Sequence, residues 1–148
     1  MKSISGRHLI IDAYVEDAAV LDDPNKLCNL FDDLVEALDM EYLQRPTAIR
    51  VPYSPAALAT DADDGGWSVV CQITTSHIAL HCWPQRGAFM MDIFSCHDFD
   101  VPRAKGIAWD RLGVTQANVQ NILRTDPRTD PRTDPRTEAS TSANDAAA

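Results

Sequence analysis

Between Trp67 and Cys96 three β-prone segments follow one another with almost nothing between them: WSVVCQIT, HIALHCW and AFMMDIFSC. Thr75 and Ser76 separate the first two, and the turn Pro84 to Gly87 separates the last two. Connections this short leave no room for the crossover that parallel pairing needs, so the three segments are expected as antiparallel neighbours in one sheet.

The flanking sequence sets the rest of the architecture. GRHLIIDAYV, Gly6 to Val15, reads as a first strand. Asp23 is placed to cap a helix with Pro24 in its first turn, and Leu27, Leu30, Phe31, Leu34, Val35 and Leu38 form one apolar stripe. That stripe predicts a helix over 24–43. TAIRVPY, Thr47 to Tyr53, is a further strand candidate, followed by the Asp-, Gly- and Ala-rich loop SPAALATDADDGG. PRAKGIAWDRLG suits a second helix, with Pro102 in its first turn and Gly113 at its end, while ANVQNILR reads equally as a short strand or a helix end. Strand, helix, several strands and a helix predict an α+β two-layer sandwich, an antiparallel β-sheet with its helices packed on one face. The other face must then stay polar or find a cover, and a homodimer is expected.

From Arg124 the character changes. Arg-Thr-Asp-Pro repeats three times and runs into small polar residues. A proline at every fourth position excludes helix and central strand, and the alternating charges offer nothing to bury. The working domain is therefore expected at 1–123, with 124–148 a disordered low-complexity tail.

A net charge of −9 opposes nucleic-acid binding, which needs a basic face for phosphates. No segment approaches the roughly 20 apolar residues that a membrane helix requires. The N-terminal apolar run is interrupted by Asp12 and Glu16, so it does not read as a cleavable signal. Without a secretory context, Cys28, Cys71, Cys82 and Cys96 are expected as reduced thiols of a cytoplasmic protein.

The chemistry is concentrated in TTSHIALHCW, Thr74 to Trp83. His77, His81, Cys82, Cys96 and His97 together count enough ligands for a metal, but no Cys-x-x-Cys pair sets the spacing. A hydrolase would present its serine on a strand-to-helix turn, and here strand lies on both sides of Ser76. A third chemistry uses the serine against its own backbone. Its hydroxyl attacks the preceding carbonyl, the amide becomes an ester, and β-elimination cuts the chain to leave a pyruvoyl group at the new N-terminus. That route needs a base and a hydrogen-bonding group for the tetrahedral intermediate. Every residue type is present, but spacing alone does not choose among the three. His77 and Cys82 read as packing residues. Asp92, in a run of large apolar residues, must face solvent or find a partner.

The segment SHIALHCWPQRGAFMMDIFSC, Ser76 to Cys96, resembles the core signature of the prokaryotic S-adenosylmethionine decarboxylase proenzymes, approximately SHxxIHTWPExxxxxxDxFxC. GRHLIIDAY and the helix after it are similar to the family's opening, and GWSVV to its Gly-x-Ser segment. The resemblance implies a self-processing, pyruvoyl-dependent decarboxylase of S-adenosylmethionine, which supplies the aminopropyl donor for spermidine. It implies cleavage between Thr75 and Ser76, with Ser76 becoming the pyruvoyl group, a covalent cofactor that condenses with an amine. His81 is then the base of β-elimination, Ser68 the hydroxyl that assists processing, and Cys96 the acid that reprotonates the substrate carbon. Asp92 matches an aspartate of structural role. A dimer of cleaved protomers, with active sites near the subunit interface, is also implied.

Three positions depart from the family pattern. Thr75 stands where the family has Glu, Gln85 stands for the Glu of Trp-Pro-Glu that grips the ribose, and residues 56–65 lengthen the segment upstream of Gly66. Tyr53 is the candidate for the aromatic that stacks on adenine. Because the processing residues match and the binding residues differ, decarboxylation of another amino acid, ornithine or arginine, is the enzymatic alternative. An unprocessed, non-catalytic binding subunit is the alternative from another class.

Overall fold

The computed structural model describes residues 3–52 and 65–133. Six strands form a single sheet: β1 (Gly6–Val15), β2 (Tyr42–Val51), β3 (Gly66–Ile73), β4 (Ser76–Trp83), β5 (Ala88–Ser95) and β6 (Val114–Arg124). Their order is β2-β3-β4-β5-β1-β6, and each neighbouring pair is antiparallel. Among the described residues, helices α1 (Pro24–Ala37) and α2 (Val101–Leu112) join the sheet in an α+β architecture.

Side-chain alternation along the strands sorts the sheet into two faces. Leu9 and Ile11 of β1, Val69 and Ile73 of β3, Ile78 and Leu80 of β4, and Met91 and Ile93 of β5 are buried. They meet Leu27, Leu30, Phe31 and Leu34 of α1 and Ala104, Ala108 and Leu112 of α2, which are buried in the same core. Both helices therefore cover one face. The opposite face carries His8, Asp12, Ser68, His77, His81, Met90 and Asp92, and Ile49, Val70 and Met90 on it are exposed.

Capping fixes where the helices begin. The Asp23 carboxylate accepts from the backbone N–H groups of Asn25 (2.9 Å) and Lys26 (3.3 Å), and Pro24 follows it. Asp100 does the same for α2 through the Arg103 N–H at 2.9 Å. The helix expected over 24–43 ends at Ala37. Asp39 takes a positive φ of 54° and the Met40 N–H donates to the Val35 carbonyl, which turns the chain into β2. β2 starts earlier than the proline at position 46 suggests. It is an edge strand, and its register with β3 shifts between Gln44 and Thr47, so the missing N–H costs no ladder bond. ANVQNILR belongs to β6, paired with β1 along its length.

Within the stretch expected to be disordered, residues 125–133 form two successive turns, closed by Thr129 N–H to Asp126 and Thr133 N–H to Asp130. Residues 134–148 lie outside the described residues, as do Tyr53 and 56–64 of the lengthened segment. All four cysteines are free thiols. No helix among the described residues is long and apolar enough to cross a membrane.

Candidate active site

The β3–β4 connection is a two-residue turn, Thr74-Thr75, closed by the pairing of Ile73 with Ser76. The Thr74 N–H donates to the Glu41 carbonyl at 2.9 Å, tying the turn to the start of β2. Ser76 has φ = 150°, a backbone region that residues with a side chain rarely occupy. Such strain costs on the order of 1–3 kcal/mol and persists only where the surroundings impose it.

The surroundings here are the end of β5. The Cys96 N–H donates to the Thr75 carbonyl at 2.9 Å. The buried Ser95 hydroxyl donates to Thr75 Oγ1 at 2.9 Å, and in turn accepts from the His97 N–H at 3.1 Å. The carbonyl that a Ser76 hydroxyl would attack is thus gripped by one backbone donor, and its side chain by another group. Cys96 is exposed immediately beside it.

The Ser76 hydroxyl contacts a histidine. Its Oγ lies 3.2 Å from His77 Nδ1, while His77 Nε2 lies 3.3 Å from Asp92 Oδ1. His8 Nε2 reaches the same carboxylate oxygen at 3.1 Å. Phe94 sits between the two imidazoles, with ring centroids 5.5 Å from His8 and 5.8 Å from His77. Asp92 therefore faces the uncovered side of the sheet, where it finds two partners. His77 is part of this polar chain, whereas Cys82 is the packing residue expected: its thiol is buried and donates to the Leu21 carbonyl.

Ser68 and His81 form a separate group. They stand directly opposite each other on β3 and β4, on the uncovered face. Both line a shallow groove of about 320 Å³ with His8, Asp12, Met90 and Asp92. His81 packs edge-on against Trp83, ring centroids 4.5 Å apart. Five residues of extended strand separate Ser76 from His81, roughly 16 Å. A single chain thus holds Ser76 and Cys96 together at one end of β4, and Ser68 and His81 together near the other.

Gly66 shapes the second group. Its φ is +131°, and a Cβ there would lie 1.9 Å from the Cys82 carbonyl oxygen. Only glycine lets β3 start this close to β4, two residues before Ser68. Gln85 lies beyond Trp83 in the 3-10 turn Pro84–Arg86, exposed. A second open groove of about 440 Å³ runs beside this turn, lined by Tyr14, Trp83, Arg86, Met90 and Asn118 among others.

Burial raises the Cys71 thiol to about 11 and also pushes up those of Cys82 and Cys28. Among the described residues no cluster of His, Cys, Asp and Glu is arranged to hold a metal ion. His77 was not legible as the partner of Ser76, nor His8 as a partner of Asp92. Their only signal was the isolated carboxylate of Asp92.

A family model described as S-adenosylmethionine decarboxylase matches residues 7–125. The S-adenosylmethionine decarboxylase proenzyme of Pyrococcus furiosus is 26% identical over 120 residues, 80% of this chain and 78% of that one. The protein of the same name from Clostridium botulinum is 27% identical over 121 residues, 81% of this chain and 94% of that one. The crystal structure of the adenosylmethionine decarboxylase from Aquifex aeolicus superposes with a TM-score of 0.62 at 22% identity, covering 84% of this chain and 92% of that one.

Proposed function

The chain belongs to the S-adenosylmethionine decarboxylase family, whose members are pyruvoyl-dependent carboxy-lyases, and we propose that it cuts itself between Thr75 and Ser76 and then decarboxylates S-adenosylmethionine. The observation that carries this reading is the geometry of the β3–β4 turn. A serine in a strained backbone conformation follows a carbonyl already held by the Cys96 N–H. A donor aimed at that oxygen is what an anionic tetrahedral intermediate requires. The Pyrococcus furiosus and Clostridium botulinum relatives both carry the S-adenosylmethionine name, which favours that substrate over ornithine or arginine.

The residues fit the pyruvoyl group that Ser76 would become. Once formed, that group supplies a carbonyl that condenses with an amine and draws electrons from the bond to the departing carboxylate. Cys96, exposed next to the proposed cleavage point, is proposed to return a proton to the substrate carbon. His81 is the base for the Ser76 Cα proton, with Ser68 beside it as hydrogen-bonding hydroxyl. Gln85 is proposed to bind the ribose and Tyr53 the adenine.

His81 and Ser68 cannot reach Ser76 of their own chain along a rigid strand. We therefore assign them to Ser76 of a second copy, in a homodimer joined through the uncovered sheet face. Exposed Ile49, Val70 and Met90 on that face support such an interface. With its biosynthetic substrate and its free thiols, the enzyme is assigned to the cytoplasm.

Intact-mass spectrometry under denaturing conditions tests the reading. The purified chain should appear as fragments 1–75 and 76–148, the second blocked by a pyruvoyl group, and Ser76→Ala should stay whole. A wild-type chain as uncut as Ser76→Ala rules the reading out.

A further inference from the structure

We propose that His77, held by Asp92, is the base that starts self-cleavage by taking the proton from the Ser76 hydroxyl. The proposal rests on the self-processing reading above and adds a residue to it. His81, the base assigned to the Cα proton, belongs to a later step and reaches Ser76 only from a second copy, since on its own strand it lies about 16 Å away.

The hydrogen-bond chain has one consistent direction. An ionised carboxylate only accepts, so His77 must present N–H at Nε2 to Asp92 Oδ1, 3.3 Å away. That tautomer leaves Nδ1 as an acceptor, and Ser76 Oγ lies 3.2 Å from it. A serine hydroxyl donating to an imidazole whose far nitrogen is fixed by a carboxylate is the arrangement that activates a hydroxyl nucleophile. The arrangement is built into the sheet. His77, Phe94 and His8 stand side by side on β4, β5 and β1, and Asp92 precedes Phe94 by two residues on the same face. His8 donates to the same oxygen at 3.1 Å and, with Phe94 against both rings, restrains the carboxylate. Asp92 and His8 are positioning residues; His77 touches the reacting atom.

The step balances without any other reactant. His77 Nδ1 takes the Oγ proton, and Oγ forms a bond to the Thr75 carbonyl carbon. The negative charge that develops on the Thr75 oxygen is met by the Cys96 N–H at 2.9 Å. The bond from that carbon to the Ser76 nitrogen then breaks, and the nitrogen takes the proton back from His77. An ester between Thr75 and Ser76 and a free amine result, with His77 neutral again.

Hydroxylamine severs such an ester and leaves an amide intact, so it reports the shift apart from elimination. Freshly purified wild type, His77→Gln, Asp92→Asn, Asp92→Glu and His81→Ala chains are followed by intact mass with and without hydroxylamine. His77→Gln should slow cleavage by roughly 10²–10⁴-fold, the range of a positioned base, and show no hydroxylamine-labile bond. Asp92→Asn should slow the same step, with partial recovery in Asp92→Glu. His81→Ala should instead accumulate the labile ester. Thermal melts of each variant establish folding; if His77→Gln does not fold, His77→Asn and the Asp92 pair carry the comparison. Cleavage of His77→Gln at the wild-type rate, or a labile ester accumulating in it, overturns the proposal. An uncut wild type instead removes the self-processing reading itself.

Discussion

The Thr75 carbonyl accepts a hydrogen bond from the Cys96 N–H at 2.9 Å, across the end of the β4–β5 ladder. One residue thus offers two functions from two atoms. Its backbone holds the carbonyl proposed for attack, and its side chain is a free, exposed thiol next to the proposed cleavage point. Substitution of the side chain removes only the second. Cys96→Ala should therefore still yield fragments 1–75 and 76–148 at near the wild-type rate, while carbon dioxide release falls by about 10²–10⁴-fold, as expected for loss of a general acid. Normal turnover by Cys96→Ala would falsify the assigned role.

The separation of Ser76 from His81 makes a prediction about pairs of chains. Ser76→Ala and His81→Ala chains, each alone, should remain uncut or nearly so. Coexpressed, they should form dimers in which one site combines Ser76 of the His81→Ala chain with His81 of the Ser76→Ala chain. That site is intact, so the His81→Ala chain alone should be cut, and at most half of all sites recover. Intact mass distinguishes the two chains. No recovery in the mixture would place His81 in the site of its own chain.

Much of this was legible in the sequence, and the remainder shows where local patterns stop. The short connections between Trp67 and Cys96 could be satisfied only by antiparallel hairpins, and the structure has them. The apolar stripe of α1 located the helix, but not its end. The stripe continues through Leu38, whereas the positive φ of Asp39 starts the turn into β2, where the Tyr42 hydroxyl donates to Asp32 of α1 at 2.9 Å. That is a tertiary contact with no periodicity to announce it. Likewise His8 lies 84 residues from Asp92 in the chain. Only the strand order, which places β1 beside β5, brings them together.

The cysteines should differ sharply in reactivity. The thiolate is the reactive form, and burial holds Cys71 near 11 and raises Cys82 and Cys28, so at pH 8 all three stay overwhelmingly protonated. Cys96 is exposed. Native protein treated with iodoacetamide at pH 8 should be alkylated at Cys96 before any other position, by a factor of at least about ten. Peptide mass mapping reads the order. Raising the pH toward 11 should bring in Cys71 only as the fold opens, since burial as well as protonation protects it.

Gly66 is the glycine whose replacement should cost most. A Cβ would stand 1.9 Å from the Cys82 carbonyl oxygen and 3.1 Å from Pro84 Cδ, at a φ of +131° that a side chain already disfavours. The clash is with backbone, so β3 must shift. Overpacking and backbone strain together give roughly 2–4 kcal/mol of destabilisation for Gly66→Ala. The melting temperature should fall by on the order of 10 °C. Because Ser68 lies two residues on, cleavage should slow as well. A melt unchanged within about 2 °C would mean that the strand relaxes without cost.

Gln85 carries the last prediction, about substrate. An exposed amide in the turn after Trp83 can hydrogen bond a ribose hydroxyl, but a carboxylate accepts such a bond about twice as strongly. Replacing one neutral hydrogen bond by a charge-assisted one is worth about 1 kcal/mol. Gln85→Glu should therefore lower the KM for S-adenosylmethionine roughly five-fold, with kcat changed by less than about two-fold. Cleavage should proceed unaltered, because Gln85 is assigned to the ribose and has no part in the acyl shift or the elimination. The measurement separates a nucleoside site from one for a simple amino acid, since ornithine and arginine carry no ribose. A carboxylate at position 85 that leaves KM unmoved would mean that the ribose is held elsewhere.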